Sequence, residues 1–356
     1  MTHEKALTPV YLLTGFLGSG KSTLLNALLK MPAFANTAVI VNEFGEIGLD
    51  HFLIEQSRDN VMLLEAGCLC CTISDSLHET LAELNARRVR GEVPPFTRVI
   101  IETTGLADPT PILNTLIGNR LVTDHYRLEA TIVTVDAQHA LAGFDRYPEV
   151  RKQIAVADRL VLTKSDLQPP TPELLAALRR VNALAPVTTC TAGDAALAAF
   201  APLDQRRLPT GPAESEHDHE HDHDHDHTNH GHDVNRHDAR IRAHCFQIDD
   251  PASWAGLAAW WRVVSDTFGD RMLRCKGVLR IAETDQIVFI QAVGRVFHRP
   301  ERMAGWPDAL RRSRLVCITQ DVSEAQMRDT LDALALPPGT DPESFLIEHQ
   351  LRRKSP

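Results

Sequence analysis

Long apolar runs are missing from this chain. No stretch approaches the roughly 20 residues needed to cross a bilayer. The start, Met1-Thr2-His3-Glu4-Lys5-Ala6, has no basic region followed by an apolar run, so neither a membrane span nor a secretory leader is expected. Aromatic residues are scarce, at 5%, and the formal charge is −10. A basic, aromatic-interleaved surface for nucleic acid is therefore not in prospect. A disulfide framework is lacking too, because the cysteines number seven and three of them crowd into positions 68 to 71. A reducing, cytoplasmic setting fits that usage. No internal repeat is visible. Apolar residues at 43% and charged residues at 24% exclude collagen and wholesale disorder, and 356 residues are ample for two or three domains.

Histidine is the excess, with 17 copies, and nine of them fall between Glu214 and Asp238. That stretch also holds nine acids and a single base, Arg236, so it carries −8 of the total charge. The acidity is local. From Pro202 to Asp238 the chain has almost no large apolar residues, too few to offset the entropy of ordering, so a disordered linker is expected over 206–239.

Before the linker, short apolar runs alternate with helical patterns. Val10 to Thr14, Ala38 to Val41, Val61 to Leu64, Val99 to Ile101, Ala130 to Val135 and Leu160 to Leu162 read as buried strands. Ser22 to Lys30, Ser74 to Arg90, Pro109 to Leu116 and Pro172 to Leu184 read as helices. The alternation predicts an α/β domain over 1–205, with a doubly wound, mostly parallel sheet. Past the linker, strands over Ile241 to Ile248, Leu273 to Ile281, Ile287 to Val293 and Leu315 to Thr319 are interspersed with helices over Trp254 to Phe268 and Val322 to Leu334. That order predicts a smaller α+β domain over 240–356, its helices on one face of an antiparallel sheet.

Gly15-Phe16-Leu17-Gly18-Ser19-Gly20-Lys21-Ser22-Thr23 fits G-x-x-x-x-G-K-[ST], follows an apolar strand and opens a helix. Such a loop turns backbone N–H groups around phosphates at a helix amino end. Lys21 then reaches the β- and γ-phosphates and the Ser22 hydroxyl ligates Mg²⁺. Val99 to Ile101 runs into Glu102 and then Gly105, an acid to hold Mg²⁺ through water and a glycine N–H to sense the γ-phosphate. Thr163-Lys164-Ser165-Asp166 matches [NT]-K-x-D: the Asp166 carboxylate accepts from two N–H groups on the guanine edge, and the Lys164 stem lies along the base. Adenine offers no such pair, which disfavours an ATP-dependent kinase. Thr163 stands where asparagine is commoner, and the tether of that loop is left open.

Cys68, Cys70 and Cys71 place three thiols in four residues, soft donors for three corners of a Zn²⁺ or Cu(I) tetrahedron. An open three-ligand site suits transfer better than permanent structure. Cys190, Cys245, Cys275 and Cys317 read as core residues. Asn42 to Asp50 reads as a polar, glycine-rich loop in which Glu46 and Asp50 are candidate Mg²⁺ or metal-site carboxylates, with plain loop acids as the alternative. Metal and nucleotide loops in such proximity would let γ-phosphate loss change metal affinity.

GFLGSGKST, NEFGEIGLD, GCLCC, ETTGLADP and LTKSD, in that order, resemble the CobW-type metallochaperone GTPases. Leu273 to Leu279 resembles that family's carboxy-terminal domain, while Ala66 departs from the asparagine the family often carries there. The resemblance runs from about Val10 to Gln320. It implies a GTPase that carries Zn²⁺ on Cys68, Cys70 and Cys71 and delivers it to a client apo-metalloprotein, with hydrolysis coupled to transfer. Metal and client differ among members, so Co²⁺ delivery for cobalamin synthesis stays open, as do Ni²⁺ as cargo and a homodimer. A metal-storage or sensing protein with a structural nucleotide site is the reading from a different class.

His217, His219, His221, His223, His225 and His227 alternate with acids, and imidazoles suit Zn²⁺, Co²⁺ and Ni²⁺. Several modest sites in a loose reservoir are expected, feeding the cysteines. Deleting Glu216 to Asp238 is expected to lower zinc stoichiometry and slow loading, measured by metal titration; unchanged values refute the reservoir.

Overall fold

The computed structural model describes residues 7–41, 61–65, 73–144, 146–190, 200, 208 and 241–341. The first unit is a sheet of seven parallel strands in the order β3-β2-β4-β1-β5-β6-β7. Its strands are β1 (Thr8–Gly15), β2 (Thr37–Val41), β3 (Val61–Glu65), β4 (Arg98–Glu102), β5 (Tyr126–Asp136), β6 (Arg159–Thr163) and β7 (Val187–Thr189). The helices between them are α1 (Lys21–Leu29), α2 (Ile73–Arg90), α3 (Thr110–Gly118), α4 (Arg120–Thr123), α5 (Ala140–Phe144), α6 (Pro148–Val156) and α7 (Pro172–Val181). This is the doubly wound sheet expected from the alternation of runs.

Strand periodicity feeds two cores. Leu12, Val99 and Ile101 join Leu81 and Leu113 on one face, whereas their neighbours Leu13 and Ile100 join Leu25 and Leu28 on the other. Local signals set the helix ends. In α7 the Thr171 side chain accepts from the Leu174 N–H, Pro172 opens the helix, and Leu174, Ala177, Leu178 and Val181 are buried at i, i+3, i+4 and i+7.

The second unit is an antiparallel sheet in the order β11-β10-β9-β13-β8, with β12 also pairing β10. The strands are β8 (Ile241–Ile248), β9 (Met272–Ile281), β10 (Gln286–Val293), β11 (Val296–Phe297), β12 (Glu301–Arg302) and β13 (Ser313–Gln320). Helix α8 (Trp254–Phe268) lies on one face, its Trp260 packed with Cys275, Leu279 and Cys317. A single helix over Val322 to Leu334 does not form. A short α9 (Glu324–Arg328) is followed by a 3₁₀ turn, Leu331–Ala335. Thr330 makes the break: its hydroxyl donates to the Met327 carbonyl at 2.7 Å and accepts from Trp260 Nε1 at 3.1 Å. The 3₁₀ backbone then crosses α8 at Gly256, where a Cβ would strike the Leu334 carbonyl.

The sheet's other face meets the first unit. Ile241, Leu273 and Ile318 share a core with Leu160, Leu162 and Leu178, and Val293 shares one with Leu113 and Val156. At the centre sits Asp158, between α6 and β6. It pairs with Arg274, accepts from Lys276 Nζ at 2.8 Å and takes the Thr131 N–H at 2.8 Å, all three side chains being buried. Burial opposes ionisation of Asp158, but Arg274 and Lys276 outweigh it and hold its carboxyl down at about 2.

A folded-state value below the ordinary 3.8 means this stabilisation is present above about pH 4 and lost as pH falls toward 2. Asp158→Ala strands two buried cations and is expected to cost roughly 3–5 kcal/mol at pH 7, with the gap to wild type narrowing below pH 4. Urea unfolding at pH 7, 5 and 3 measures this. A gap that stays constant across the three pH values rejects the assignment.

Candidate nucleotide site

Parallel strands deliver their carboxyl ends, and the loops that follow them, to one edge of the sheet. The phosphate loop leaves β1 there, curls through Gly15, Gly18 and Ser19, and enters α1 through Gly20 at a φ of 86°. A side chain at Gly20 would strain that left-handed turn. Lys21 opens α1 and is buried, its Nζ donating to the Gly15 carbonyl at 2.9 Å and the Phe16 carbonyl at 3.2 Å. Ser22 follows with its hydroxyl donated to Glu102 Oε1 at 2.8 Å, and Thr23 is exposed. Glu102 ends β4 and is buried. A hydroxyl touching a buried carboxylate is a hard oxygen pair, which fits Mg²⁺ chemistry.

Gly105 lies against the phosphate loop so closely that a Cβ would come within 2.6 Å of the Leu17 backbone nitrogen. The loop after Glu102 therefore rides on the phosphate loop backbone to backbone. Gln153 of α6 supports it from behind, its buried side chain donating to the Gly105 and Ala107 carbonyls, each at 3.1 Å. Lys152 adds an ion pair to Asp108 at 3.0 Å. Sequence reading missed Gln153, and no signal could have found it, since a lone glutamine in an unforeseen helix carries no motif.

The 163–166 loop follows β6. The Thr163 hydroxyl donates to the Ser19 carbonyl at 2.7 Å, so threonine itself ties this loop to the phosphate loop. The hydroxyls of Ser19 and Thr134 lie 2.7 Å apart and fasten the other flank to β5. Lys164 takes a positive φ of 55° and its Nζ pairs with Asp136 at 2.8 Å, while Asp166 is exposed. The structure thus gathers Gly15, Gly18, Ser19, Gly20, Lys21, Ser22, Glu102, Gly105, Thr163 and Lys164 around one loop. Asp136 and Thr134, absent from the sequence reading, belong with them. Their signal was weak: an apolar run, Val133-Thr134-Val135, ending in an acid.

Glu46, Asp50, Cys68, Cys70, Cys71, His217, His219, His221, His223, His225 and His227 lie outside the described residues. Among the described residues no group of three histidine, cysteine or acidic side chains is placed to hold a metal. Nor, among them, is any helix long and apolar enough to cross a membrane. Strand β3 does bring the chain to the nucleotide edge: Glu65, three residues before Cys68, pairs with Val41, which in turn pairs with Glu102. At about 4.8 Å per strand, Glu65 and Glu102 are about 10 Å apart.

The family model described as CobW/HypB/UreG, nucleotide-binding domain, matches residues 9–189, and that of the cobalamin synthesis protein CobW C-terminal domain matches 241–335. The chain belongs to the CobW/HypB/UreG family. Zinc chaperone YjiA of Escherichia coli is 31% identical over 90% of this chain and 96% of its own length. Zinc chaperone CobW of Pseudomonas aeruginosa is 30% identical, covering 92% of this chain and 91% of its own. The crystal structure of zinc-bound YjiA GTPase from E. coli superposes with a TM-score of 0.68 at 26% identity, covering 93% of this chain and 100% of that one. A zinc-bound triple mutant of YjiA GTPase gives 0.70 at 27% identity, over 92% of this chain and 99% of that one. The CobW-type resemblance read from five short motifs thus extends over the whole fold.

The Thr163 tether is the measurable feature of this family member's site. Thr163→Val keeps the shape and removes the hydrogen bond, and is expected to weaken GDP binding by about 1 kcal/mol, about fivefold. Calorimetric titration with GDP checks it, and an unchanged affinity denies the tether its role.

Proposed function

We propose that this GTPase carries Zn²⁺ on Cys68, Cys70 and Cys71 and hands it to a client apo-metalloprotein, with GTP hydrolysis setting the moment of release. One observation carries the reading: the strands leading to the phosphate loop, Glu102, the Thr163 loop and the cysteine triplet are parallel members of one sheet, so their carboxyl ends open on one edge. The zinc chaperones YjiA and CobW, similar along nearly the whole chain, support it.

In this reading the phosphate-loop amides and Lys21 take the β- and γ-phosphates, Lys21 giving up its carbonyl partners at Gly15 and Phe16 to do so. Ser22 and Glu102 would hold Mg²⁺, which would supply charge compensation for the phosphate oxygens. Asp166 accepts from the guanine edge. Water attack on the γ-phosphorus gives GDP and inorganic phosphate, and the spreading negative charge is met by Lys21 and the loop amides. The Gly105 N–H, on a loop that Gln153 steadies through the Gly105 carbonyl and that lies against Leu17 of the phosphate loop, senses the γ-phosphate. Its loss relaxes the loops that follow β4, β2 and β3, and with the last two Glu46, Asp50 and the triplet, lowering metal affinity. The histidine run from His217 to His227 serves as a reservoir.

Metal competition at fixed GTP, with hydrolysis and zinc release followed together, tests this in wild type, Cys70→Ser and a linker-deleted variant. Zn²⁺ is expected to win over Co²⁺ and Ni²⁺ at the triplet, and release to follow turnover in wild type and vanish in Cys70→Ser. Release independent of hydrolysis supports a storage protein, and preference for Co²⁺ supports cobalt delivery; either overturns the proposal.

A further inference from the structure

We infer that Asp136 is a positioning residue for guanine binding: it anchors the Lys164 ammonium so that the lysine stem is held ready along the base. The inference rests on the reading of Lys164 and Asp166 as the guanine-selecting pair and adds a residue outside that motif.

Register brings the two together. In the parallel pairing of β5 with β6, Asp136 stands beside Thr163, so the acid at the end of β5 faces the first residues of the guanine loop. Lys164 then adopts a φ of 55°, a backbone state that is uncommon for any residue but glycine. Its Nζ ends 2.8 Å from Asp136 Oδ2.

The carboxylate is itself fixed. Oδ1 accepts the Gln138 N–H at 2.8 Å and the His139 N–H at 3.3 Å, and Oδ2 also meets His139 Nδ1 at 3.0 Å. Burial raises its pKa, yet Lys164, the Gln138 N–H and His139 together hold it below the usual carboxylate range. A rigid anion therefore grips the far end of a flexible side chain.

Fold stability does not explain this arrangement, because Lys164 is about one-third exposed, and part-exposed ion pairs contribute little. Capping the turn after β5 does not explain it either. That task uses Oδ1 alone, and asparagine performs it as well as aspartate. What needs the charge is Lys164. An ammonium fixed at Asp136 removes rotamers the lysine would otherwise lose on binding, so the base meets a prepared surface.

Asp136→Asn keeps the turn and removes the ion pair, which makes it the informative variant. Calorimetric titration with GDP and GTP in Mg²⁺ buffer, together with steady-state hydrolysis, gives the readout. Affinity for both nucleotides is expected to fall about tenfold, the loss appearing in KM far more than in kcat, and Asp136→Glu to recover part of it. In a Lys164→Ala background, Asp136→Asn is expected to cause no further loss. Wild-type affinity in Asp136→Asn, or full additivity with Lys164→Ala, overturns the inference and leaves the guanine reading standing. Wild-type affinity in both Lys164→Ala and Asp166→Asn overturns the guanine reading and this inference with it. Thermal unfolding of each variant separates a lost fold from a lost anchor.

Discussion

Asp158 is one carboxylate with two buried cations and a backbone N–H around it, and the arrangement of both sheets follows from satisfying it. Taken alone, each unit would face water with a defect: the first with an anion at the end of α6, the second with Arg274 and Lys276 on the open face of β9. Docking removes all three charges from solvent at once. Desolvation makes such a cluster a weak source of net stability, but breaking it by removing one partner is expensive. The apolar contacts at Leu273, Ile318 and Val293 supply attraction, and the charges reject misaligned dockings.

That docking bears on the nucleotide site because α6 serves both. Its carboxyl end leads to Asp158, and the Asn182 side chain donates to the carbonyls of Ile154, Ala155 and Ala157, closing that end of the helix. One turn back, Gln153 holds the Gly105 loop. The same loop runs on into α3, whose Thr110 sits under the β10–β11 turn at Gly294. A shift of the Gly105 loop has to be absorbed by α6 and α3, and both are packed against the second sheet.

Much of this was legible in residues, and the exceptions have a common cause. Strands β1, β4 and β6 announce themselves because a strand buried on both faces must be apolar throughout. The phosphate loop announces itself because only glycine and small residues leave backbone N–H groups exposed. Helix α6 hides for the opposite reason. It is as long as α1 and α3, but a polar residue, Gln153, stands in its buried stripe between Val150 and Ile154, so the apolar periodicity is interrupted. Thr330 ends the predicted carboxy-terminal helix through a partner on α8, a tertiary bond that propensity cannot foresee. Thr163 shows the same limit inside the site: the motif fixes the side-chain class, while the carbonyl it seeks, on Ser19, is set by the loop next door.

The contacts that tie the phosphate loop to the ends of β5 and β6 share one property: each is made by a neutral hydroxyl or by the backbone. Thr163, Ser19, Thr134, Thr14 and Thr103 bond one another or main-chain groups at strand ends. Charge enters at few points, chiefly Lys21, Glu102 and the Asp136–Lys164 pair. A site that must accept a highly charged triphosphate, and then release a diphosphate, gains from this division. Neutral bonds hold loop geometry without adding a fixed field that would favour one nucleotide state. In the proposed reading the few charges are then left to distinguish phosphate number and base, and a charge introduced at Thr163 or Thr134 would stiffen the loop only by spoiling that balance.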